Sequence, residues 1–266
     1  MCGILGISDK SLIKDCFDES FLDQFNEALG LLSHRGPDAQ GVKTIPQSGI
    51  ALGHTRLSIQ DLSSAGDQPM TCQDQKVTIT FNGEIYNFPS LRQTLINLGY
   101  EFFSNTDTEV VLNLYKEFGI DCFEMLDGIF SLGIFDEESN NLILARDALG
   151  IKPLYYYYQD SCFIFSSEIK SMERLVGNHK LSLNKKSLNR YLTYQWCPGE
   201  GTPYTEIKKQ NPGEVQVIRN GRVIQTKAFK KYEPEEYRPG IHITDDEELV
   251  KAGSEHTQTI FHPVGT

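Results

Sequence analysis

The feature that most constrains the fold is a set of short apolar segments that follow one another closely and are joined by turn-forming residues. Asn220-Gly221 separates two such segments, and Asn-Gly is the strongest short signal of a β-hairpin. Polar runs bound the other segments in the same way. The predicted hairpins pair 129–135 with 142–146, 154–158 with 162–166, and 215–219 with 222–225. We therefore expect antiparallel sheet to form a large part of the fold.

Apolar residues also recur at helical spacing in three places, at 21–32, 91–98 and 110–118. Thr106 or Asp107 could cap the third of these helices. Three further strands are predicted: one at the N-terminus, one at 50–54 and one at 77–81. Antiparallel strands interleaved with a few helices predict an α+β domain in which helices cover the sheets.

The charge balance restricts the partners. The chain carries 36 acidic and 25 basic residues among 266, which gives a formal net charge of −11. This balance argues against a nucleic acid or an anionic membrane as a partner, because both bind clustered positive charge. No stretch of about 18 apolar residues occurs, so no membrane-spanning helix is expected.

The cysteines give no sign of a metal or of a disulfide framework. The six lie at positions 2, 16, 72, 122, 162 and 197, without a Cys-x-x-Cys pair. Reduced thiols are the simplest account, and they are typical of the cytoplasm. We therefore expect a cytoplasmic protein that holds no metal.

The composition changes near the C-terminal end. Residues 232–248 are acidic and contain prolines, and residues 252–266 show no periodic pattern. We predict one domain over 1–231, followed by a linker and a tail over 232–266.

Cys2 is the first candidate for chemistry. A small residue at this position allows the initiator Met1 to be removed, which leaves a free α-amino group beside the thiol. An α-amine has an unperturbed pKa of roughly 7.7–8.0, so near neutral pH it can accept a proton. A nucleophile and its general base would then sit on one residue. The alternative is that Cys2 is a small buried apolar residue of the first strand, and position alone favours that alternative.

Asn82-Gly83 follows the predicted strand at 77–81. Acyl transfer needs donors aimed at the oxyanion, and an Asn side-chain amide with a Gly backbone N–H can supply them. The commoner interpretation of Asn-Gly is a hairpin turn.

Arg56 and Asp107 could bind the two charged ends of a free amino acid. An Arg guanidinium can hold a carboxylate through two parallel hydrogen bonds, and a carboxylate can hold an α-ammonium group. The alternatives are a surface ion pair for Arg56 and a helix cap for Asp107, and spacing alone does not separate them.

The combination of motifs resembles the class II (N-terminal nucleophile) glutamine amidotransferases. Within that class the chain is most similar to the glutaminase half of glutamine-hydrolysing asparagine synthetase, over roughly residues 1–232. The motifs, in order, are MCGI at 1–4, HRGPD at 34–38, GHTRLSI at 53–59, QPM at 68–70, FNGEIYN at 81–87, NTDTE at 105–109, ARDALGIKPLYY at 145–156, FSSEIK at 165–170 and NPGE at 211–214.

The resemblance implies a fold and a set of roles. The fold would be a four-layer α/β/β/α sandwich of antiparallel sheets. Cys2 would be the nucleophile, and Asn82 and Gly83 would form the oxyanion hole. L-Glutamine would be the substrate. The implied substrate-binding residues are Arg56 at the carboxylate, Glu84 and Asp107 at the amino end, and the backbone of Leu57 and Ile59.

The same resemblance implies a synthetase domain as the partner of this one. An asparagine synthetase uses ATP and Mg²⁺ in a synthetase domain that carries a Ser-Gly-Gly-x-Asp-Ser loop, and the 266 residues contain no such motif. We therefore expect no cofactor in this chain and a separate synthetase domain or subunit as its partner. Without that partner, an exposed apolar face could form a homodimer.

Two questions stay open at the level of sequence. Other class II enzymes pass ammonia to other acceptors, although the motifs rank asparagine synthesis first. A non-catalytic module that binds glutamine or regulates a partner is the alternative to an enzyme.

Overall fold

A computed structural model describes residues 1–13 and 17–229 of the chain. The predicted linker and tail over 232–266 lie outside the described residues.

The described residues form two six-stranded sheets in which every paired strand is antiparallel. The first sheet has the order β10-β8-β9-β1-β3-β2, and the second has the order β12-β11-β7-β6-β5-β4. The strands are β1 (Gly3–Asp9), β2 (Ala39–Ile45), β3 (Ile50–Arg56), β4 (Met70–Thr71), β5 (Val77–Ile85), β6 (Gly128–Asp136), β7 (Asn141–Arg146), β8 (Tyr155–Gln159), β9 (Cys162–Ser166), β10 (Ile207–Lys209), β11 (Glu214–Arg219) and β12 (Arg222–Ala228).

Helices cover the outer face of each sheet. Those on the first sheet include α1 and α4, and those on the second sheet are α2 and α3. The helices of the described residues are α1 (Glu19–Gly30), α2 (Phe88–Asn97), α3 (Asp107–Phe118), α4 (Ile169–Val176) and α5 (Lys185–Tyr194). Short 3-10 turns lie at Lys10–Leu12, Pro46–Ser48, Ser64–Gly66, Gly119–Met125 and Asn178–Lys180.

Three apolar clusters hold these layers together. One lies between the first sheet and its helices, one lies between the second sheet and its helices, and the third fills the space between the sheets. Successive side chains of β1 belong to two of these clusters, because side chains alternate between the faces of a strand. Leu5 faces the helices, whereas Ile4 faces the second sheet. Gly6 faces the same way as Ile4, and a Cβ at Gly6 would come within 2.2 Å of the Phe165 ring. The layers confirm the predicted α+β four-layer sandwich.

The three predicted hairpins are confirmed as β6–β7, β8–β9 and β11–β12. At the turn of the last hairpin, Asn220 and Gly221 have φ angles of 51° and 70°. Both residues are thus in the left-handed region that a tight hairpin turn requires. The structure also contains β2, β4, β10, α4 and α5, which the sequence patterns did not predict.

The other Asn-Gly pair behaves differently. Asn82 and Gly83 lie inside β5, where they face Ser131 and Phe130 of β6, so the hairpin-turn interpretation of this pair is wrong. A Cβ at Gly83 would lie 2.4 Å from the Ile129 carbonyl oxygen. Gly83 therefore permits the close approach of β6 that keeps the strand continuous.

Of the two residues predicted as the N-cap of α3, the structure shows that Thr106 is the cap. Its hydroxyl oxygen accepts a hydrogen bond from the backbone N–H of Glu109, at 3.3 Å. Asp107 is the first helical residue, so its carboxylate is available for another contact.

Candidate active site

A small cavity of about 90 Å³ lies between the ends of β3 and β5 and the start of α3. All eight predicted site residues line it. The lining consists of Met1, Cys2, Arg56, Leu57, Ile59, Gln60, Asp61, Gly66, Gln68, Phe81, Asn82, Gly83, Glu84, Thr106, Asp107, Thr108 and Lys152.

The Cys2 thiol is half-buried and touches the backbone of Leu57. The Leu57 N–H donates to Cys2 Sγ at 3.4 Å, and Sγ lies 3.7 Å from the Leu57 carbonyl oxygen. Burial raises the pKa of the thiol, whereas the hydrogen bond from Leu57 and the positive N-terminus lower it. The net shift is upward, so in this form the sulfur is a thiol near neutral pH and needs a base to become a nucleophile.

Asn82 presents a donor to the same cavity. Its side chain is buried, and Nδ2 has no hydrogen-bond partner among the described residues. A buried amide without a partner is costly and is uncommon outside functional sites. The cavity therefore contains a preorganised N–H donor that is free to bind an incoming acceptor.

The Gly83 N–H adds a second donor by its position in β5. The N–H groups of Phe81 and Ile85 point away from β6, to Gln68 Oε1 at 2.6 Å and to Asp107 Oδ2 at 2.9 Å. Alternation along an antiparallel strand directs the Gly83 N–H to the same edge, between these two contacts. The edge is open there because β4 pairs with β5 only at Ile79 and Thr78.

Two hydrogen bonds beneath the cavity connect the sheets. His54 Nε2 donates to the Phe81 carbonyl at 3.1 Å, and the Thr80 hydroxyl donates to the Gly53 carbonyl at 3.0 Å. Burial lowers the pKa of His54 to about 3, so its imidazole is neutral at physiological pH. These contacts fix the end of β3, which carries Arg56, relative to the part of β5 that carries Asn82.

Arg56 is the last residue of β3, and its side chain is buried. Nη1 donates to the Ser63 carbonyl and to Asp67 Oδ1, both at 2.7 Å, and Nη2 donates to the Asp61 carbonyl. A guanidinium has five N–H donors, and these contacts use three of them. Donors on Nε and Nη2 are left, and two donors on neighbouring nitrogens suit a carboxylate.

Glu84 and Asp107 place two carboxylates at the other end of the cavity. Asp107 is 5% exposed, and burial raises the pKa of its carboxyl to about 7. The hydrogen bond from the Ile85 N–H lowers this pKa, and the nearby Glu84 charge raises it. A cation bound between the two carboxylates would favour the ionised form of Asp107.

Sequence patterns did not identify Gln60, Asp61 and Gln68 as parts of the site. Gln68 accepts from the Phe81 N–H, and its Nε2 donates to the Thr108 hydroxyl at 3.2 Å. The QPM motif was the available signal for Gln68, whereas Gln60 and Asp61 lie in a loop without a periodic pattern.

The loop is fixed at Asp61. Its carboxylate accepts from the Asn105 N–H at 3.1 Å and from the Ser63 hydroxyl at 2.6 Å. These hydrogen bonds, led by that of the Ser63 hydroxyl, lower the pKa of Asp61 to about 2.

A second group of contacts positions the backbone at Cys2. Arg35 Nε donates to the Cys2 carbonyl at 3.0 Å, and Arg35 Nη1 donates to Glu168 at 3.0 Å. The Ser167 hydroxyl accepts from the Ile4 N–H at 3.0 Å, and the Ser166 hydroxyl donates to the Ile4 carbonyl at 3.2 Å. The FSSEIK motif therefore braces the start of β1.

Within residues 1–13 and 17–229, no group of three or more His, Cys, Asp or Glu side chains could hold a metal ion. No helix there is long and apolar enough to cross a membrane.

Comparison with known proteins agrees with the motifs. The model of the glutamine amidotransferase domain family matches residues 1–232. Asparagine synthetase (glutamine-hydrolyzing) 1 of Bacillus subtilis is 34% identical over 252 residues, which cover 94% of this chain and 38% of that protein. Putative asparagine synthetase (glutamine-hydrolyzing) 2 of Methanocaldococcus jannaschii is 34% identical over 276 residues, which cover 95% of this chain and 50% of that protein.

A solved structure shows the same fold. Glutamine phosphoribosylpyrophosphate amidotransferase from B. subtilis superimposes with a TM-score of 0.61 at 21% sequence identity, over 86% of this chain and 49% of that one. The chain spans half or less of the length of these relatives. The resemblance predicted from the motifs is confirmed, and the chain belongs to the glutamine amidotransferase domain family.

Proposed function

We propose that this chain hydrolyses L-glutamine to L-glutamate and ammonia through a thioester on Cys2. The observation that carries the proposal is the unpartnered Nδ2 of Asn82, which is buried in the same cavity as the Cys2 thiol. Donors that are in place before charge develops are the most effective means of stabilising an oxyanion. The confirmed family supports this assignment.

The proposed reaction has two steps. Cys2 Sγ attacks the side-chain carboxamide carbon of glutamine, and the Asn82 amide and the Gly83 N–H bind the oxygen as it becomes negative. The C–N bond then breaks, and ammonia leaves with the proton that the thiol has lost. Water attacks the thioester carbon, which releases glutamate and restores the thiol.

The base for this reaction is the α-amine of Cys2 after removal of Met1. Met1 lines the cavity. While Met1 is attached, the Cys2 nitrogen is part of a peptide bond and cannot act as a base. A free α-amine has a pKa of roughly 7.7–8.0 and can carry the proton between sulfur and leaving group. We therefore propose that Met1 removal is required for activity.

The cavity selects its substrate through the two charged ends of a free amino acid. We assign the α-carboxylate to the remaining donors of Arg56 and the α-ammonium to Glu84 and Asp107. The backbone of Leu57 and Ile59 completes the wall between these ends. A free amino acid satisfies both ends of the cavity, whereas a glutamine inside a peptide lacks both charges.

Glutamate release by the purified chain, with its N-terminus identified by intact mass, tests this proposal. The expected result is turnover in the Met1-free form and none in Cys2→Ala. Turnover that persists in Cys2→Ala would contradict it. Tight glutamine binding without turnover would identify the chain as a binding module instead.

We further propose that ATP and Mg²⁺ act only in a partner synthetase domain, which would use the ammonia to convert aspartate to asparagine. The two relatives described above are asparagine synthetases that are at least twice as long as their match to this chain. Incubation of the chain with glutamine, aspartate, ATP and Mg²⁺ should give glutamate but no asparagine. EDTA should leave glutamate release unchanged, and a loss of activity in EDTA would overturn the cofactor assignment.

An exposed apolar surface between β7 and β8 supports such a partner. Leu149 and Ile151 are each more than half exposed there. Ile151 directly precedes Lys152, which lines the cavity. A partner on this surface would lie next to the site where ammonia is released.

Without a partner, the same apolar surface would pair two copies of the chain. Light scattering of the purified chain should then detect a homodimer that dissociates in Ile151→Glu. A monomer at all concentrations would contradict this part of the proposal.

We also propose that the protein works in the cytoplasm. The described cysteines, at positions 2, 72, 122, 162 and 197, are free thiols. Reduced thiols agree with a reducing compartment.

A further inference from the structure

The Gln60 side chain links the carboxylate of Glu84 to the backbone of Asp107, the two residues that we assign to the α-ammonium group. Its Nε2 donates to Glu84 Oε2 at 2.5 Å, and its Oε1 accepts from the backbone N–H of Asp107 at 3.3 Å. Gln60 comes from the loop that follows β3, whereas Glu84 belongs to β5 and Asp107 begins α3. One side chain thus connects three separate elements at one end of the cavity.

The chemistry of the two partners fixes the orientation of the Gln60 amide. An ionised carboxylate can only accept a hydrogen bond, and a backbone N–H can only donate one. The NH₂ group must therefore face Glu84, and the oxygen must face Asp107. Neither a glutamate nor an apolar residue at this position could make both contacts.

The contacts also oppose a repulsion. Asp107 and Glu84 are like charges when both are ionised, and Glu84 raises the pKa of the Asp107 carboxyl. Glu84 is partly exposed, and among the described residues the Gln60 amide is the one group that hydrogen-bonds its carboxylate, so without Gln60 the carboxylate is free to rotate into solvent. The Gln60 amide instead holds Glu84 beside Asp107 before any cation arrives.

We infer that Gln60 is a positioning residue that keeps Glu84 and Asp107 together as a binding site for the substrate α-ammonium group. The inference rests on the proposed function, because it presumes that an amino acid occupies the cavity. It adds a determinant of specificity, since a carboxylate pair that is held in place favours ligands that carry the cation. Gln60 does not touch the reacting carboxamide.

The test compares two ligands that differ only in the α-ammonium group. L-Glutamine has it, and glutaramic acid is the same molecule with hydrogen in its place. Binding of each is measured by calorimetry in the full chain carrying Cys2→Ala, so that no turnover occurs. Gln60→Leu is introduced into that chain, because leucine removes both hydrogen bonds and keeps most of the side-chain volume.

We expect Gln60→Leu to weaken glutamine binding about tenfold, which is the loss of one hydrogen bond to a charged group. Glutaramic acid binding should change less than about twofold, because that ligand never used the carboxylate pair. Equal losses for both ligands, or no loss for glutamine, would overturn the inference. Absence of glutamine binding in the parent chain would overturn it too.

A matched control is present in the same chain. Gln47 is exposed and donates through Nε2 to Glu137 at 3.4 Å, and neither residue lines the cavity. Gln47→Leu should leave both affinities unchanged. Turnover of the Cys2 form is measured separately, so that an inactive protein with intact glutamine selectivity would contradict the proposed reaction and not the role of Gln60.

Discussion

Asp107 Oδ2 accepts a hydrogen bond from the Ile85 backbone N–H at 2.9 Å, and this contact joins the start of α3 to the last residue of β5. The carboxyl is buried, and burial raises its pKa to about 7. An aspartate with that pKa is costly to ionise in the folded protein. It is retained, in our proposal, because it binds a cation.

The first prediction concerns the cost to stability. The pKa of Asp107 lies above the value of 3.8 for an ordinary aspartate, so its contribution to stability is complete below pH 3.8. That contribution is lost as the pH rises through about 7. Asp107→Asn cannot ionise, and its side-chain oxygen can still accept from Ile85. The gain in unfolding free energy over the parent should be about 2 kcal/mol larger at pH 8 than at pH 5.

Urea unfolding of both proteins at the two pH values measures this difference. A gain that is the same at pH 5 and pH 8 would show that Asp107 ionises normally in the folded chain.

The second prediction is that the ionisation of Asp107 controls the affinity for glutamine. An α-ammonium cation needs ionised Asp107, so glutamine affinity should fall as the pH drops below the carboxyl pKa of about 7. In the Cys2→Ala chain we expect binding about tenfold weaker at pH 6 than at pH 8. Asp107→Asn should bind glutamine weakly at both values, without that dependence. A pH dependence that survives in Asp107→Asn would assign it to another group.

The sequence predicts the hairpins because their signals are local. At Asn220-Gly221 the turn needs two residues at positive φ, and the dipeptide alone indicates it. The same dipeptide at 82–83 lies in a strand, because pairing with β6 outweighs the local turn preference. Helix α4 was not predicted from its eight residues, and short segments carry little periodic signal.

The same contrast between local sequence signals and tertiary contacts applies to the site. Cys2, Asn82 and Asp107 could be proposed from residue type and motif order, since each belongs to a distinctive short run. Gln60 could not, because its role arises only when the loop after β3 folds back onto β5 and α3. The occupied donors of Arg56 are likewise a tertiary feature, made by the Ser63 and Asp61 carbonyls of that loop.

The third prediction separates catalysis from folding at Asn82. Its Nδ2 has no partner among the described residues, so removal of the amide takes away no hydrogen bond made by that nitrogen. Asn82→Leu keeps the side-chain size and removes the oxyanion donor. We expect kcat for glutamine to fall about 10²- to 10³-fold, with KM changed little. The free energy of unfolding should not fall, and should rise by about 1 kcal/mol, because leucine removes a buried donor that has no partner.

Initial rates over a range of glutamine concentrations, together with urea unfolding, give both quantities. A raised KM with unchanged kcat would instead make Asn82 a residue of ground-state binding.

The last prediction concerns the space that Gly66 leaves for Arg56. A Cβ at Gly66 would come within 2.2 Å of Arg56 Nη2, on the guanidinium that we assign to the substrate carboxylate. Gly66→Ala should therefore displace the guanidinium and raise KM for glutamine about tenfold, the loss expected when one charge-assisted hydrogen bond is misaligned. Gly30→Ala is the matched control, because nothing lies within 4 Å of its Cβ at the end of α1. It should leave KM unchanged and stabilise the chain by roughly 0.5–1 kcal/mol. If both variants kept the parent KM, Arg56 would not be the carboxylate ligand in its present position.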